Sequence, residues 1–288
     1  MILVDLNQVV ISSLMLQVGS KGYGADINED LMRHIVLNTI RAHRNRFHEK
    51  YGEMVICCDH HHYWRRDIFP HYKAGRKKIR EQSGFDWGVI FDTLNLVREE
   101  LDTYFPYKVI RVDGAEADDI IGTLCHVYGS LLMREDEERI LILSSDKDFM
   151  QLQKYVNVDQ YSPQQNKFVR TNDPERYLKE HIFKGDRGDG IPNILSDDDV
   201  FVSDKRQTPL RASKIESWIN EQPETVFDEK VYRGYKRNEQ LVDLGQIPNA
   251  LQEEILNQYE QKGNGRDHLF DYFVKNKLQN LMEHIGEF

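Results

Sequence analysis

Short apolar runs recur along the first half of the chain, and several close on a carboxylate. Ile2-Leu3-Val4 runs into Asp5, Met54-Val55-Ile56-Cys57-Cys58 into Asp59, and Ile140-Leu141-Ile142-Leu143 leads to Asp146. Runs this short and continuous read as strands buried on both faces. Strands are expected over residues 2–6, 54–58, 108–112, 139–143 and 156–161. Helices are expected over 29–48, with Asn28 as N-cap, over 87–104, and over 117–128. In the second of these Ile90, Leu94, Val97 and Leu101 recur at helical spacing, and Pro106 follows its end. Strands alternating with helices imply an α/β fold, a mostly parallel central sheet flanked by helices.

Past about residue 171 the strand pattern fades. Helices are expected over 174–183, 208–221, 248–260 and 266–285. Residues 195–207, with Asp197-Asp198-Asp199, read as an exposed loop. The chain thus divides into an α/β unit over 1–170 and a mainly helical region over 171–288. Residues 60–84 have no clean period and contain Pro70, Gly75 and Gly84, so a mobile loop or short helices are expected there.

No apolar run approaches the roughly 20 residues that span a bilayer. There is no signal-peptide pattern, and strand-like sequence begins at Ile2, so no leader is expected before the fold. Cys57, Cys58 and Cys125 lie in apolar surroundings and read as reduced core residues of a cytoplasmic protein. A net charge of −10 at first argues against nucleic acid. The charge is unevenly distributed, however. Residues 62–80 carry seven Lys/Arg against one Asp, interleaved with Tyr63, Trp64, Phe69 and Tyr72. Arg65, Arg66, Lys73, Arg76, Lys77 and Lys78 suit phosphates, and the aromatic rings suit bases.

The acids are equally local. Beyond Asp5 and Asp59 they occur as Glu116-Ala117-Asp118-Asp119, Asp146-Lys147-Asp148 and Asp186-Arg187-Gly188-Asp189. Ligands in parallel sheets bind beyond the carboxyl ends of the strands, where several of these acids fall. Crowded carboxylates repel and cost stability unless a cation sits among them. Oxygen-rich sites suit Mg²⁺, and such sites serve phosphate chemistry. Two other readings use the same residues. A non-catalytic module for branched DNA would gain nothing from packed acids. A phosphatase with Asp146 as nucleophile would leave the basic aromatic stretch without a role.

In their order, these acid motifs resemble those of the 5′-nuclease (flap endonuclease) family, over nearly the whole chain. The resemblance implies two Mg²⁺ ions, with Mn²⁺ as a substitute. Asp5, Asp59, Glu116, Asp118, Asp119 and Asp146 would build the first site. Asp148, Asp186 and Asp189 would build the second, with Asp146 between the ions. Tyr72-Lys73-x-x-Arg76 resembles the family's arch, whose cations hold the scissile phosphate. The turn carrying Gly185, Gly188 and Gly190 resembles a helix–turn–helix element that grips duplex DNA. In this chain Gly190 stands where the family has asparagine, and residues 195–207 replace a second glycine-rich turn. The implied activity is 5′→3′ exonuclease, flap endonuclease and ribonuclease H cleavage, with Asp118, Asp146, Lys73 and Arg76 catalytic. The implied substrates are RNA–DNA hybrid and flap or nicked duplex DNA, met during primer removal in phage-type replication. The same resemblance implies a single-strand-binding protein as partner of the C-terminal region; a monomer is expected, and no membrane.

Overall fold

The structure is a computed structural model that describes residues 1–19, 28–132, 138–203, 205–261, 263 and 265–288, without the side chains of residues 18 and 19. Its centre is a six-stranded sheet built from β1 (Ile2–Asp5), β2 (Met54–Cys57), β3 (Lys108–Ile110), β4 (Ile140–Leu143), β5 (Val158–Ser162) and β6 (Lys167–Val169). The order is β3-β2-β1-β4-β5-β6. All pairings are parallel except β5 with β6. The chain winds outward from β1 to β3, then returns to lay β4 against the other side of β1. The order therefore reverses between β1 and β4, where a crevice opens at the carboxyl ends of the strands.

The central strands are fully buried because alternate side chains serve two cores. Ile2, Val4, Met54, Ile56, Leu141 and Leu143 face one, while Leu3, Val55, Cys57, Ile140 and Ile142 face the other. This two-sided burial is what makes the strands read as continuous apolar runs. The first core is covered by α1 (Leu6–Gly19), α2 (Glu29–Tyr51) and α5 (Trp87–Tyr104), the second by α6 (Ala117–Tyr128). As expected, Asn28 caps α2, its side chain accepting from Leu31 N at 3.0 Å. Between β2 and α5 lie the short helices α3 (Trp64–Ile68) and α4 (Arg76–Gln82).

The C-terminal region consists of α7 (Pro174–Lys184), α8 (Ala212–Trp218), α9 (Pro223–Val226), α10 (Glu229–Val242), α11 (Asn249–Glu260), α12 (Leu269–Lys275) and α13 (Gln279–Met282). It enters both cores: Ile255 joins the second, and Leu269, Tyr272, Phe273 and Phe288 join the first.

Several elements differ from the sequence reading. Helix α1 was not expected, because its β-branched, apolar residues lack a polar face. The short antiparallel β6 and a 3-10 helix over Lys147–Lys154 were also not anticipated. The helix expected over 266–285 is broken in two by Lys277, which takes φ +54. Residues 195–207 are not simply exposed. Ser196 and Val200 are buried, Asp198 pairs with Arg237, and Asp197 pairs with Lys230; residue 204 lies outside the described residues.

The largest omission is α10. It lies against the turn after α7, and a Cβ on Gly234 would come 2.5 Å from the Ile194 carbonyl oxygen. One turn later the fully buried Asn238 donates to the carbonyls of Ile182 (2.7 Å) and Pro192 (2.8 Å). These two bonds hold both ends of the turn. Replacing Asn238 with Ala would strand the Ile182 carbonyl and leave that of Pro192 to Arg237 Nη2 alone (2.8 Å), at a cost of about 2 kcal/mol. A lower urea midpoint with unchanged slope is the expected result. An unchanged midpoint would mean that α10 does not fasten the turn.

Candidate active site

The crevice at the carboxyl ends of β1, β2 and β4 collects four carboxylates. Asp5 ends β1, accepting from Gln8 N at 3.1 Å and Ser144 Oγ at 3.0 Å. Asp59 follows β2, accepting from Asn7 Nδ2 at 2.6 Å and from Ala117 N, at the start of α6, at 2.8 Å. Asp118 sits on the first turn of α6. Asp146 follows β4 and caps the 3-10 helix, accepting from Asp148 N at 3.0 Å. All four line one cleft of about 600 Å³. Its opposite wall is cationic, with Arg66, Lys73, Arg76 and Arg80 from the segment between β2 and α5.

The electrostatics show crowding. Burial first, then Asp59 and Asp146, push the Asp5 carboxyl up to about 7. Burial and the Asp146 charge raise Asp118 well above the usual carboxylate range. Asp59 and Asp146 are raised as well, chiefly by burial. These oxygens are hard donors, and Asp118 makes no hydrogen bond among the described residues. The arrangement suits a divalent cation.

Not all nine expected ligands face the cleft. Glu116 is the N-cap of α6 and forms a capping box with Asp119. Its carboxylate accepts from Lys73 Nζ, Tyr72 OH (2.9 Å) and Arg65 Nη1 (3.0 Å), and it is 1% exposed. Burial alone would raise it, but Lys73 and Arg65 hold it down at about 2. Asp119 turns into the protein. It is fully buried, pairs with Arg65 at 2.8 Å, and accepts from Trp64 Nε1 and the Glu116 N–H. Successive helix positions lie about 100° apart, so Asp118 and Asp119 cannot face one ion together. Asp189 is engaged by the opposite wall: its side chain pairs with Arg76 and with Lys73 (3.5 Å), and its carbonyl accepts from Lys73 N at 2.7 Å. Lys73 takes φ +58 to make this contact.

Asp148 and Asp186 form a second group with a residue that sequence spacing did not indicate. His181, in the last turn of α7, lies 3.4 Å from each. Asp148 is raised to about 7 by burial and by Asp146. Burial would raise Asp186, but His181 and Lys147 hold it low.

The expected nucleic-acid contacts also divide. Arg66, Lys77 and Lys78 are exposed, and Lys73 and Arg76 line the cleft. Arg65 is 2% exposed and bonds Glu116, Asp119 and the Leu241 carbonyl, so it is a core residue. Tyr72 is equally buried, with its hydroxyl on Glu116 and Asp189, and offers no face to a base. The turn glycines do not present open N–H groups: Gly185 donates to His181 O, Gly188 to Asp186 Oδ1 and Gly190 to Arg187 O. Gly185 (φ +65) and Gly190 (φ +73) are required by close backbone approach, to Ile191 O and His71 O respectively. Tyr63, one of the rings expected to suit bases, lines the cleft, and so do Arg80 and Arg111, which were not singled out from sequence.

A parallel α/β fold, with carboxylates gathered at its reversal point and a cationic segment opposite, defines a class built for phosphate esters. Comparison with known proteins makes this specific. Residues 25–182 match the family described as 5′-3′ exonuclease, N-terminal resolvase-like domain, and residues 173–288 match that described as T4 RNase H, C terminal. The chain is 34% identical to the ribonuclease H of Enterobacteria phage T4, over 99% of this chain and 95% of that one. It is 28% identical to the flap endonuclease Xni of Aliivibrio fischeri, over 45% of this chain and 47% of that one. Among solved structures it shares its fold with a bacteriophage T5 flap endonuclease bound to DNA and metal ions, with a TM-score of 0.59 at 17% identity, covering 90% and 99% of the two chains. A zinc-bound T5 5′-exonuclease is similar, with a TM-score of 0.58 at 15% identity and coverage of 90% and 98%. The chain belongs to the 5′-3′ exonuclease family and is a nuclease.

Two outcomes follow from this geometry. Arg65→Ala leaves buried acids without their cation, and a loss of about 3–5 kcal/mol of stability is expected. DNA affinity of the folded fraction should stay within about twofold. Wild-type stability with lost affinity would make Arg65 a nucleic-acid contact instead.

The second outcome concerns pH. Asp59, Asp118 and Asp146 are raised, and Asp5 and Asp148 reach about 7, so between about pH 4 and pH 7 the folded chain keeps on Asp5 and Asp148 protons that the unfolded chain has released. Their stabilising contribution is complete below about pH 4 and is lost as pH rises through about 7. A divalent cation binds the ionised form. The gain in Tm on adding Mg²⁺ should therefore be larger at about pH 8 than at about pH 6. An equal gain at both pH values would contradict a raised cluster.

Proposed function

We propose that this nuclease is a Mg²⁺-dependent 5′→3′ exonuclease and flap endonuclease. It hydrolyses phosphodiesters near the 5′ ends of RNA–DNA and DNA–DNA duplexes, and its ribonuclease H activity removes RNA primers during phage-type replication. The observation that carries the reading is the cleft itself, where Asp5, Asp59, Asp118 and Asp146 face Lys73 and Arg76. The names of the relatives support it, and a DNA- and metal-bound neighbour shares the fold. A DNA-binding module would gain nothing from buried acids that raise one another's pKa.

Two divalent ions suit the acids, Mg²⁺ with Mn²⁺ as a substitute, one held by Asp5, Asp59, Asp118 and Asp146 and the other by Asp148 and Asp186. Bound ions would polarise the phosphodiester and lower the pKa of an attacking water. The chain's own residues do the positioning. Asn7 and the N–H of Ala117 orient Asp59, while Ser144 and Gln8 orient Asp5. Lys73 and Arg76 approach the scissile phosphate from the opposite wall and oppose its growing charge. Asp189 and Glu116 hold these two cations until a phosphate competes for them. Arg66, Lys77 and Lys78 follow the single-stranded backbone. The turn between α7 and α8 lies against the duplex, and the protein acts as a monomer. No helix among the described residues is long and apolar enough to cross a membrane.

The test uses 5′-labelled RNA–DNA hybrid and DNA flap, each with and without Mg²⁺. Cleavage of both only with Mg²⁺ is expected. Asp118→Asn and Asp146→Asn should each reduce single-turnover cleavage by about two to three orders of magnitude while leaving DNA affinity within about threefold. Lys73→Ala and Arg76→Ala should slow the chemical step by about tenfold or more at saturating enzyme. Turnover within tenfold of wild type in both Asn variants would remove the acid cluster from the chemistry.

A further inference from the structure

His181 is 6% exposed, and neither ring nitrogen has a hydrogen-bond partner among the described residues. A buried imidazole without a partner is costly, and each such group calls for an explanation. The ring lies among acids. Nδ1 is 3.4 Å from Asp148 Oδ1, and Nε2 is 3.4 Å from Asp186 Oδ2. Asp148 Oδ1 is itself buried and lacks a hydrogen bond. One ligand atom from each of the three residues lies within 4.8 Å of the other two. A single ion between them could approach the roughly 2.0–2.2 Å bonds of a divalent metal after small side-chain movements.

Asp189, the other acid of the turn, does not join this group. Its carboxylate is taken by Lys73, Arg76 and Tyr72. The group therefore offers two carboxylates and one imidazole, with the half-exposed Lys147 ammonium, 2.9 Å from Asp186 Oδ2, as the one cation among the described residues that a metal would displace. Its parts come from different elements, which meet only in the folded chain. Asp148 stands on the 3-10 helix after β4, His181 on the last turn of α7, and Asp186 on the turn that α10 fastens. Sequence spacing could not reveal it, since neither acid is one helical turn from His181.

Resting on the proposed two-ion reading, we infer that His181 is a nitrogen ligand of the second divalent ion, completing a site with Asp148 and Asp186. A mixed nitrogen and oxygen site has a chemical consequence. Imidazole favours Co²⁺ and Zn²⁺ over Mg²⁺, and Mn²⁺ to a smaller degree, whereas a purely carboxylate site favours the harder ion. The second site of this chain selects borderline metals, while the first, lined by Asp5, Asp59, Asp118 and Asp146, remains an oxygen site. Loading of the second site then depends on which metal is available.

The test is direct and does not need turnover. Electron spin-echo modulation of the wild-type protein loaded with Mn²⁺ should show coupling to one imidazole ¹⁴N. The coupling should vanish in His181→Asn. Calorimetry without DNA should find two Mn²⁺ sites, the second preferring Mn²⁺ over Mg²⁺ by tenfold or more. His181→Asn should reduce that preference to within about threefold while leaving the first site unchanged. Two bound ions without ¹⁴N coupling, and an unaltered metal preference in His181→Asn, would overturn the inference. His181 would then be a bridging cation between the two acids. The wild-type spectrum decides even if the variant folds poorly. Metal-dependent cleavage measured alongside separates the two readings. Cleavage without nitrogen coupling defeats only this inference, and absence of cleavage with every divalent metal defeats the nuclease reading.

Discussion

Mutual repulsion among carboxylates at one end of a buried sheet is the constraint around which this molecule is arranged. The reversal between β1 and β4 opens a crevice that brings residues from distant parts of the chain together. The protein meets the repulsion in two ways. Glu116, Asp119 and Asp189 are neutralised internally by Arg65, Lys73 and Arg76. Asp5, Asp59, Asp118 and Asp146 have no such partner among the described residues and retain raised pKa values. An acid left unpaired inside a protein awaits either a proton or a metal. The paired set forms the frame, and the unpaired set forms the site.

The same division links the acids to the cationic segment between β2 and α5. Lys73 and Arg76 touch the frame through Glu116 and Asp189 and line the cleft at the same time. In the proposed function they pass from a carboxylate to a phosphate without leaving the site. Asp189 belongs to the turn after α7, which α10 holds by Asn238 and by the close approach at Gly234. The C-terminal region thus positions the cations of the segment between β2 and α5 as well as the acids Asp186 and Asp189.

Much of this could be read from the sequence because its signals are local. A strand buried on both faces is a short apolar run, and the acid that ends it is the next residue or a few residues on. The spans of α5 and α6 follow equally from spacing and caps. What the sequence did not reveal depends on direction and distance. Asp118 and Asp119 are neighbours in the chain yet face opposite surroundings, because a helix turns between them. Arg65 has the composition of a phosphate contact, and only its burial against Glu116 and Asp119 makes it structural. Helix α10 is mostly polar, and only Leu241 and Val242 among its buried residues are large and apolar, so it carries no apolar run to draw the eye even though its few apolar positions share one face. His181 gains its place from three elements that meet only in the folded chain.

The account stands on the claim that the cleft acids, and Asp148 with Asp186 beside them, hold divalent cations. Anomalous diffraction from crystals of the DNA-free protein soaked in Mn²⁺ tests it most directly. One peak is expected among Asp5, Asp59, Asp118 and Asp146, and a second beside Asp148 and Asp186. Well-ordered crystals with no anomalous density at either place, at Mn²⁺ concentrations that support cleavage in solution, would contradict it.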